Sequence, residues 1–267
     1  IIRGRGKPFF ARLIKIIEPE LNEHGYEMSV HHIDTSDDEL KAAALLEREK
    51  RLKGIIFLGG RFNYHADDIA AIKVPFVCCS YTNVFGALEE GSYSSVAIDD
   101  KKAARQAVEY LLQKGHKRIG ALIEHAGGGS ISQLRYEGYV GALQDAGLAL
   151  DASLVGCAGS FEMDDAYAAA SRLIAEAKPT ALFAISDLMG VAAMKAAVDA
   201  GLRVPDDLSI IAIDGIEFSN YCVPTLTTLA QPTEALAIKS VEILAGLIEK
   251  KGLNGHVLLP TSLRQGG

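Results

Sequence analysis

The chain has 267 residues, of which 49% are hydrophobic and 23% charged. This is an ordinary globular composition that excludes a disordered, collagen-like or coiled-coil protein. Its apolar runs fall short of the roughly 20 residues that a membrane span needs. With 27 Lys and Arg against 34 Asp and Glu, a net charge of -7 and no basic patch, the chain by itself is not expected to contact nucleic acid.

In chain order, Ile1 and Ile2 read as the end of a strand cut short, so a missing N-terminal segment is expected. Pro8 then opens a helix over residues 8–24, closed by Gly25. Apolar, β-rich runs follow at 26–32, 54–58, 74–79 and 95–98, with Asp37 as a helix N-cap between the first two. Asp99 caps a helix over 101–114 that ends at Gly115. The second half repeats the rhythm, with runs at 118–123, 154–157, 181–185 and 208–213. Helices there start at Ser132, Asp164 and Asp187, the last running to residue 200, and Gly147 and Gly201 act as stops. Short continuous apolar strands separated by helices of 10–15 residues mean parallel strands with crossover helices, a doubly wound α/β chain. Nine or so strands fit two smaller sheets better than one, with Gly115–His116 as the passage between them.

The four cysteines are Cys78, Cys79, Cys157 and Cys222. They form no CxxC, and none of the seven histidines has metal-ligand spacing. Buried free thiols in a reducing compartment are expected, with Cys78 and Cys79 on opposite faces of a strand. No metal and no cofactor are implied.

Several segments invite a chemical reading. Gly4-Arg-Gly-Lys-Pro-Phe9 is a near miss to the dinucleotide fingerprint, with Phe9 where the third glycine should pack helix on strand. Phe9 and Phe10 are either core or a ligand wall. Glu124-His-Ala-Gly-Gly-Gly-Ser130 is flexible but lacks the Lys-Ser/Thr of a phosphate loop, leaving a surface loop or a cleft lining. Arg135 is either a solvated residue or a planar donor to a ligand oxygen. Asp187 reads as a cap. Asp214, ending an apolar strand, caps a turn or accepts hydrogen bonds from ligand hydroxyls. No arrangement of nucleophile, base and orienting group is visible, so the chain does not read as an enzyme.

Six motifs in order and spacing carry a resemblance. They are Lys114-Gly-His-Lys-Arg-Ile-Gly120, Arg135-Tyr-Glu-Gly-Tyr139, Pro179-Thr-Ala-Leu-Phe183 with Ser186-Asp-Leu-Met189, Gly201-Leu-Arg-Val-Pro-Asp-Asp-Leu-Ser209, Ile213-Asp214, and Pro224-Thr-Leu-Thr-Thr-Leu-Ala-Gln-Pro232. Over almost its whole length the chain resembles the effector-binding core of the lactose-repressor (LacI/GalR) family of bacterial transcription regulators. The resemblance implies the periplasmic-binding-protein type I fold, two α/β subdomains joined by three crossover strands with a small ligand in the cleft. The subdomains implied are residues 1–115 with 229–254, and 116–228 with 255–267. The crossings would fall at Gly115–His116, at 225–230 and near 254–257.

The same resemblance implies effector contacts at Lys7, Phe9, Phe10, Tyr81, Arg135, Phe161, Ser186, Asp214 and Gln231. Aromatics would take the apolar face of a sugar ring, and Asp, Arg and amides its hydroxyl rim. It implies a cytoplasmic sensor core, a homodimer, a small-molecule effector (a sugar or sugar derivative) and operator DNA reached through an N-terminal helix-turn-helix absent from this chain. A membrane partner is not implied. A periplasmic sugar-binding protein of a transporter shares the fold and is the alternative. Departures from the family pattern are Lys7 for Asn, Ser186 for Asn, Ser80-Tyr81 for Asp-Arg and Gly215 for Asp or Asn. With Lys7 and Arg135 as two cations, they suggest an anionic ligand such as a sugar acid or sugar phosphate.

Overall fold

The computed structural model describes residues 1–4 and 6–267; Arg5, inside the Gly4–Phe9 turn, lies outside the described residues. The elements are β1 (Ile2–Arg3), α1 (Pro8–Glu23), β2 (His32–Ile33), α2 (Glu39–Lys50), β3 (Ile55–Leu58), α3 (Ala66–Ile69), β4 (Phe76–Cys79), β5 (Ser94–Ile98) and α4 (Asp100–Gln113). They continue with β6 (Ile119–Ile123), α5 (Ile131–Asp145), β7 (Val155–Cys157), α6 (Met163–Ala177), β8 (Ala181–Ala184), α7 (Asp187–Asp199) and β9 (Ser209–Asp214). The last are β10 (Thr227–Ala230), α8 (Thr233–Ile248), β11 (His256–Leu259) and β12 (Ser262–Arg264).

The chain divides into two units, residues 1–98 with 232–260 and residues 99–231 with 261–267. This moves the expected boundary. The first passage falls at residues 98–99 rather than at Gly115–His116, because α4 packs on α5 in the second unit. Residues 229–231 stay with the second unit, and 255–260 join the first, where β11 pairs with β5.

The first unit has a six-stranded sheet of order β11-β5-β4-β3-β1-β2, parallel throughout. The second has the order β12-β10-β9-β8-β6-β7, parallel except for β12. In each, the chain winds outward both ways from one strand, so the crossover helices lie on opposite faces. The strand order reverses between β1 and β3 in one unit and between β6 and β8 in the other. Such a point opens a crevice at the strands' carboxyl ends, where ligands of open α/β sheets bind.

The helices form where the apolar spacing calls for them. Leu13, Ile17 and Leu21 recur every fourth residue on α1 and are buried with Val77, Val96, Leu236 and Val241. Gly25, Gly115, Gly147 and Gly201 take the left-handed conformation just past α1, α4, α5 and α7. The N-caps differ from expectation at four starts. Asp38, Ser130 and Ser186 are the side chains that accept helix N–H groups, in place of Asp37, Ser132 and Asp187, and α6 begins after Glu162. A cap must stand outside the helix in extended conformation, and each displaced residue is held by other bonds. Asp37 accepts from the Asp34 N–H, Ser132 ties Glu124 and His125, and Asp187 is buried inside the first turn of α7.

Cys78 and Cys79 are buried in β4 as expected, but Cys157 is exposed and Cys222 half-buried. The strand expected over 26–32 forms only at His32–Ile33.

Small residues set the spacing of the second unit's helices. Ala103, Ala104 and Ala107 of α4 are buried, as are Gly138 and Ala142 of α5. A Cβ on Gly138 would lie 2.2 Å from the Lys101 carbonyl and 2.8 Å from Ala104 Cβ. Gly138→Ala should therefore push α4 from α5 and destabilise the protein by about 1–3 kcal/mol, the usual cost of overpacking. Urea denaturation checks this; an unchanged midpoint would mean that the seam has slack.

Candidate functional site

In the second unit the crevice is built around Arg135. This residue is one turn into α5, directly after β6, and only 1% exposed. Its guanidinium meets Asp100 through Nε at 2.9 Å and Nη2 at 2.8 Å. Nη1 lies 3.3 Å from Asp214 Oδ1 and donates to the Ile185 carbonyl beyond β8. One side chain thereby joins the start of α4 to the carboxyl ends of β8 and β9. Arg135 is not a solvated residue, and its Nη2, 2.8 Å from Asp100 Oδ1, is buried without a hydrogen-bond partner. Nε and Nη1 of its planar fork donate to protein oxygens.

Asp214 closes β9 with φ 139°, a left-handed value that costs a non-glycine residue about 1–3 kcal/mol. Gln231 Nε2 donates to Asp214 Oδ1 at 2.9 Å, the same oxygen that Arg135 approaches. Oδ2 lies outside both bonds, and the side chain is 15% exposed. Burial raises the Asp214 carboxyl to about 6, against the opposing pull of Arg135. Burial likewise raises Asp100, with Arg135 opposing. Gly215 follows with φ 72°, and a Cβ there would stand 2.5 Å from Ala230 Cβ. In this chain a side chain at that position would be both strained and crowded.

Around this centre, Ser186 caps α7 through the Met189 N–H. Asp187 is wholly buried and accepts from the Ile216 N–H at 2.9 Å, the Ser219 hydroxyl at 2.8 Å and the Thr228 hydroxyl. It fastens the segment after β9 to β10 and α7, far more than a cap does. Phe161 is half-buried just before α6. The glycine-rich loop after β6 is pinned by Ser132, whose hydroxyl accepts from Glu124 and His125 and donates to the His125 carbonyl.

In the first unit, Lys7 precedes α1 in extended conformation, with Nζ 5.7 Å from the centre of the Phe10 ring. Phe9 and Phe10 are partly buried against the first unit's core, their rings tilted at 5.8 Å. Phe10 also crosses the end of β3, since a Cβ on Gly59 would lie 2.9 Å from its ring. Tyr81 is different. It is 1% exposed, against Phe62, with its hydroxyl 3.4 Å from that of Tyr64. Tyr81 belongs to the scaffold and presents no open face.

Sequence reading missed two buried carboxylates. Asp100 was hidden beside the cap Asp99, as one of two tandem acids at a helix start. Glu39, 1% exposed, accepts from Arg3, from the Arg61 N–H at 2.7 Å and from the Tyr64 hydroxyl. Only its place in the first turn of α2 could have marked it. Among the described residues no group of three or more His, Cys, Asp or Glu could hold a metal ion, and no helix is long and apolar enough to cross a membrane.

Residues 92–267 match the periplasmic binding protein-like domain family. The HTH-type transcriptional regulator MalR of Clostridium butyricum is 38% identical over 266 residues, covering 98% of this chain and 78% of that protein. A LacI family transcriptional regulator from Mycobacterium smegmatis superposes with a TM-score of 0.82 at 28% identity, covering 99% of this chain and 96% of the other. The chain belongs to the LacI/GalR family of transcription regulators. Further members resemble it. The repressor CytR of Escherichia coli strain K12 is 33% identical over 89% of this chain and 68% of its own length. The regulator CelR, in a complex with cellobiose, superposes with a TM-score of 0.83 at 26% identity, over 97% of this chain and 79% of that one. The chain is the effector-binding core of such a regulator, in the fold that the six motifs implied.

The raised carboxyl of Asp214 has a measurable consequence for this LacI/GalR core. A carboxyl whose folded value exceeds its unfolded one stabilises the fold fully below the unfolded value, near 4, and that contribution is lost as pH rises through about 6. Asp214→Asn should therefore gain stability relative to the native protein as pH rises from 4 to 7. Chemical denaturation at each pH measures this, and parallel curves would place the carboxyl at its ordinary value.

Proposed function

We propose that this core senses a small, hydroxyl-rich metabolite, a sugar or sugar derivative. Its occupancy would be read by a helix-turn-helix head acting on operator DNA in the cytoplasm. The observation that carries this reading is Asp214, a strained, raised carboxyl at a strand end whose Oδ1 is taken by Arg135 and Gln231 and whose Oδ2 lies outside those bonds. A carboxylate so held suits ligand O–H donors. The proposed contacts in the second unit are Asp214, Gln231, Ser186 and Phe161, held by Arg135; those proposed in the first are Lys7, Phe9 and Phe10, with Tyr81 in its scaffold. The cellobiose complex of CelR supports the class.

The geometry of the second unit does not favour an anionic ligand. Arg135 is outnumbered by Asp100 and Asp214, so it adds no net positive charge to the second unit's crevice. Ligand hydroxyls on Asp214 would favour its ionised form and so strengthen the Arg135 bridge between β9, Ile185 and α4. A ligand shifts the balance between conformations only by its differential affinity for them. Here that difference resides in the Asp214–Arg135–Asp100 chain.

In a thermal-shift screen, neutral sugars, cellobiose among them, should stabilise the protein more than their acid and phosphate forms. A ligand at 100 times its Kd adds about 2.7 kcal/mol. Calorimetry with the best of them should show Asp214→Ala weakening binding by about 1.5–3 kcal/mol, the worth of hydrogen bonds to a charged group. Stabilisation by the charged forms alone, or unchanged affinity in the variant, would defeat the reading.

The homodimer rests on a second observation. Phe218, Tyr221 and Val223, in the segment after β9, are 52%, 76% and 95% exposed. A cluster of large apolar side chains offered to solvent marks an association surface. Val223→Asp should shift the protein from dimer to monomer in light scattering coupled to size-exclusion chromatography; a dimer that persists at micromolar concentration would put the interface elsewhere.

A further inference from the structure

The sequence contains one Asn-Gly pair, Asn254–Gly255, in the turn between α8 and β11. At such a pair the glycine nitrogen, with no Cβ beside it, can reach the carbonyl carbon of the asparagine side chain. Nothing in the packing calls for glycine here. Gly255 lies outside the left-handed region, and a Cβ on it would meet no atom within 4 Å. The preceding Leu253 is 91% exposed, so water reaches the turn.

One hydroxyl holds both reacting groups. Ser94, wholly buried at the start of β5, donates to Asn254 Oδ1 at 2.8 Å and accepts from the Gly255 N–H at 3.2 Å. Asn254 Nδ2 donates to the Gly91 carbonyl at 2.7 Å. The Gly255 carbonyl accepts from the Ser95 N–H at 3.0 Å. His256 carries the fastening on, with Nδ1 2.8 Å from Ser95 Oγ and Nε2 3.0 Å from the Glu90 carbonyl. β11 is the edge strand of its sheet and pairs with β5. This polar clasp ties its first residues to β5 and to the turn before it. The side-chain amide is anchored at both ends, and the glycine nitrogen is engaged. Neither can turn toward the other until the clasp opens.

We propose that Asn254 is a latent deamidation site, held shut by the Ser94 clasp and released when the start of β11 opens. In the open state the Gly255 nitrogen bonds to Asn254 Cγ. The Cγ–Nδ2 bond breaks, and Nδ2 leaves as ammonia with the proton that Gly255 gives up. Water then opens the cyclic imide. Opening at Cγ leaves aspartate. Opening at the main-chain carbonyl leaves isoaspartate, whose backbone runs through the side chain and is longer by a methylene. Either product disables the clasp. A carboxylate oxygen would face the Gly91 carbonyl where Nδ2 donated, and both are acceptors. Isoaspartate also shifts Gly255 and His256 out of step with β5. The change runs one way, so a modified chain stays loosened at β11, the last strand of the first unit before the chain enters the second.

Peptide mapping by mass spectrometry, on native protein incubated at mildly alkaline pH, reads the conversion of amide to acid. A synthetic peptide of residues 251–258 gives the unrestrained rate. The folded protein should convert at least about tenfold more slowly than the peptide, because reaction waits on local opening. Ser94→Ala should convert at least about threefold faster than native protein, by the same opening. Gly255→Ala, which the open space admits, should fold normally and form next to no product. In Asn254→Asp, the Ser95 amide should exchange hydrogen faster than in native protein. Conversion of native protein as fast as the peptide overturns the proposal, because the clasp then restrains nothing. So does a folded Ser94→Ala that converts no faster than native protein, or Ser95 exchange left unchanged by Asn254→Asp. The comparison of native protein with peptide needs no variant, so failure of Ser94→Ala to fold leaves the outcome decided.

Discussion

A single buried cation between two carboxylates organises the second unit. Arg135 touches the start of α4, the loop beyond β8 and the last residue of β9, three elements far apart in sequence. Removing one member of such a set strands the others without solvent, at a cost of about 3–5 kcal/mol. The strained backbone of Asp214 is tolerable because Arg135 and Gln231 both hold its carboxylate. The crevice therefore needs its charges for shape before any ligand enters.

The first unit solves the same problem with different chemistry. Glu39 gathers Arg3, the Arg61 backbone and Tyr64, and Tyr81 backs Tyr64. Phe9 and Phe10 rest instead on the apolar core around Leu13, Leu58 and Val77. In both units a buried acid at the first position of a helix does the fastening, Glu39 on α2 and Asp100 on α4. The helix dipole favours a negative charge there, which offsets part of its desolvation.

Much of this was legible in the residues. The βα rhythm, the glycine stops and the strand cores follow from local periodicity, which needs no partner to be read. The six motifs named the fold. What escaped depended on distance in space. Arg135 reads as a solvated residue or a ligand donor until Asp100, 35 positions earlier, is placed against it. Tyr81 reads as a ligand aromatic until Tyr64 and Phe62 bury it. The boundary at Gly115 failed because a helix's local signals do not say which sheet it covers. The caps slipped by one or two residues because Asp and Ser also serve in turns, and only the fold decides which of two neighbours faces the helix.

The close approach of Gly215 to Ala230 bears on how such a core could diversify. The position after Asp214 is closed in by Ala230 of β10, which pairs in register with β9, so in this chain a side chain there would meet the sheet. Restoring the Asp or Asn of the family pattern at this position would require Ala230 to give way. Phe161, Phe9 and Lys7 lie outside the paired strands. Single substitutions at these rim positions are the accessible evolutionary steps, while Gly215 and Ala230 would have to change together.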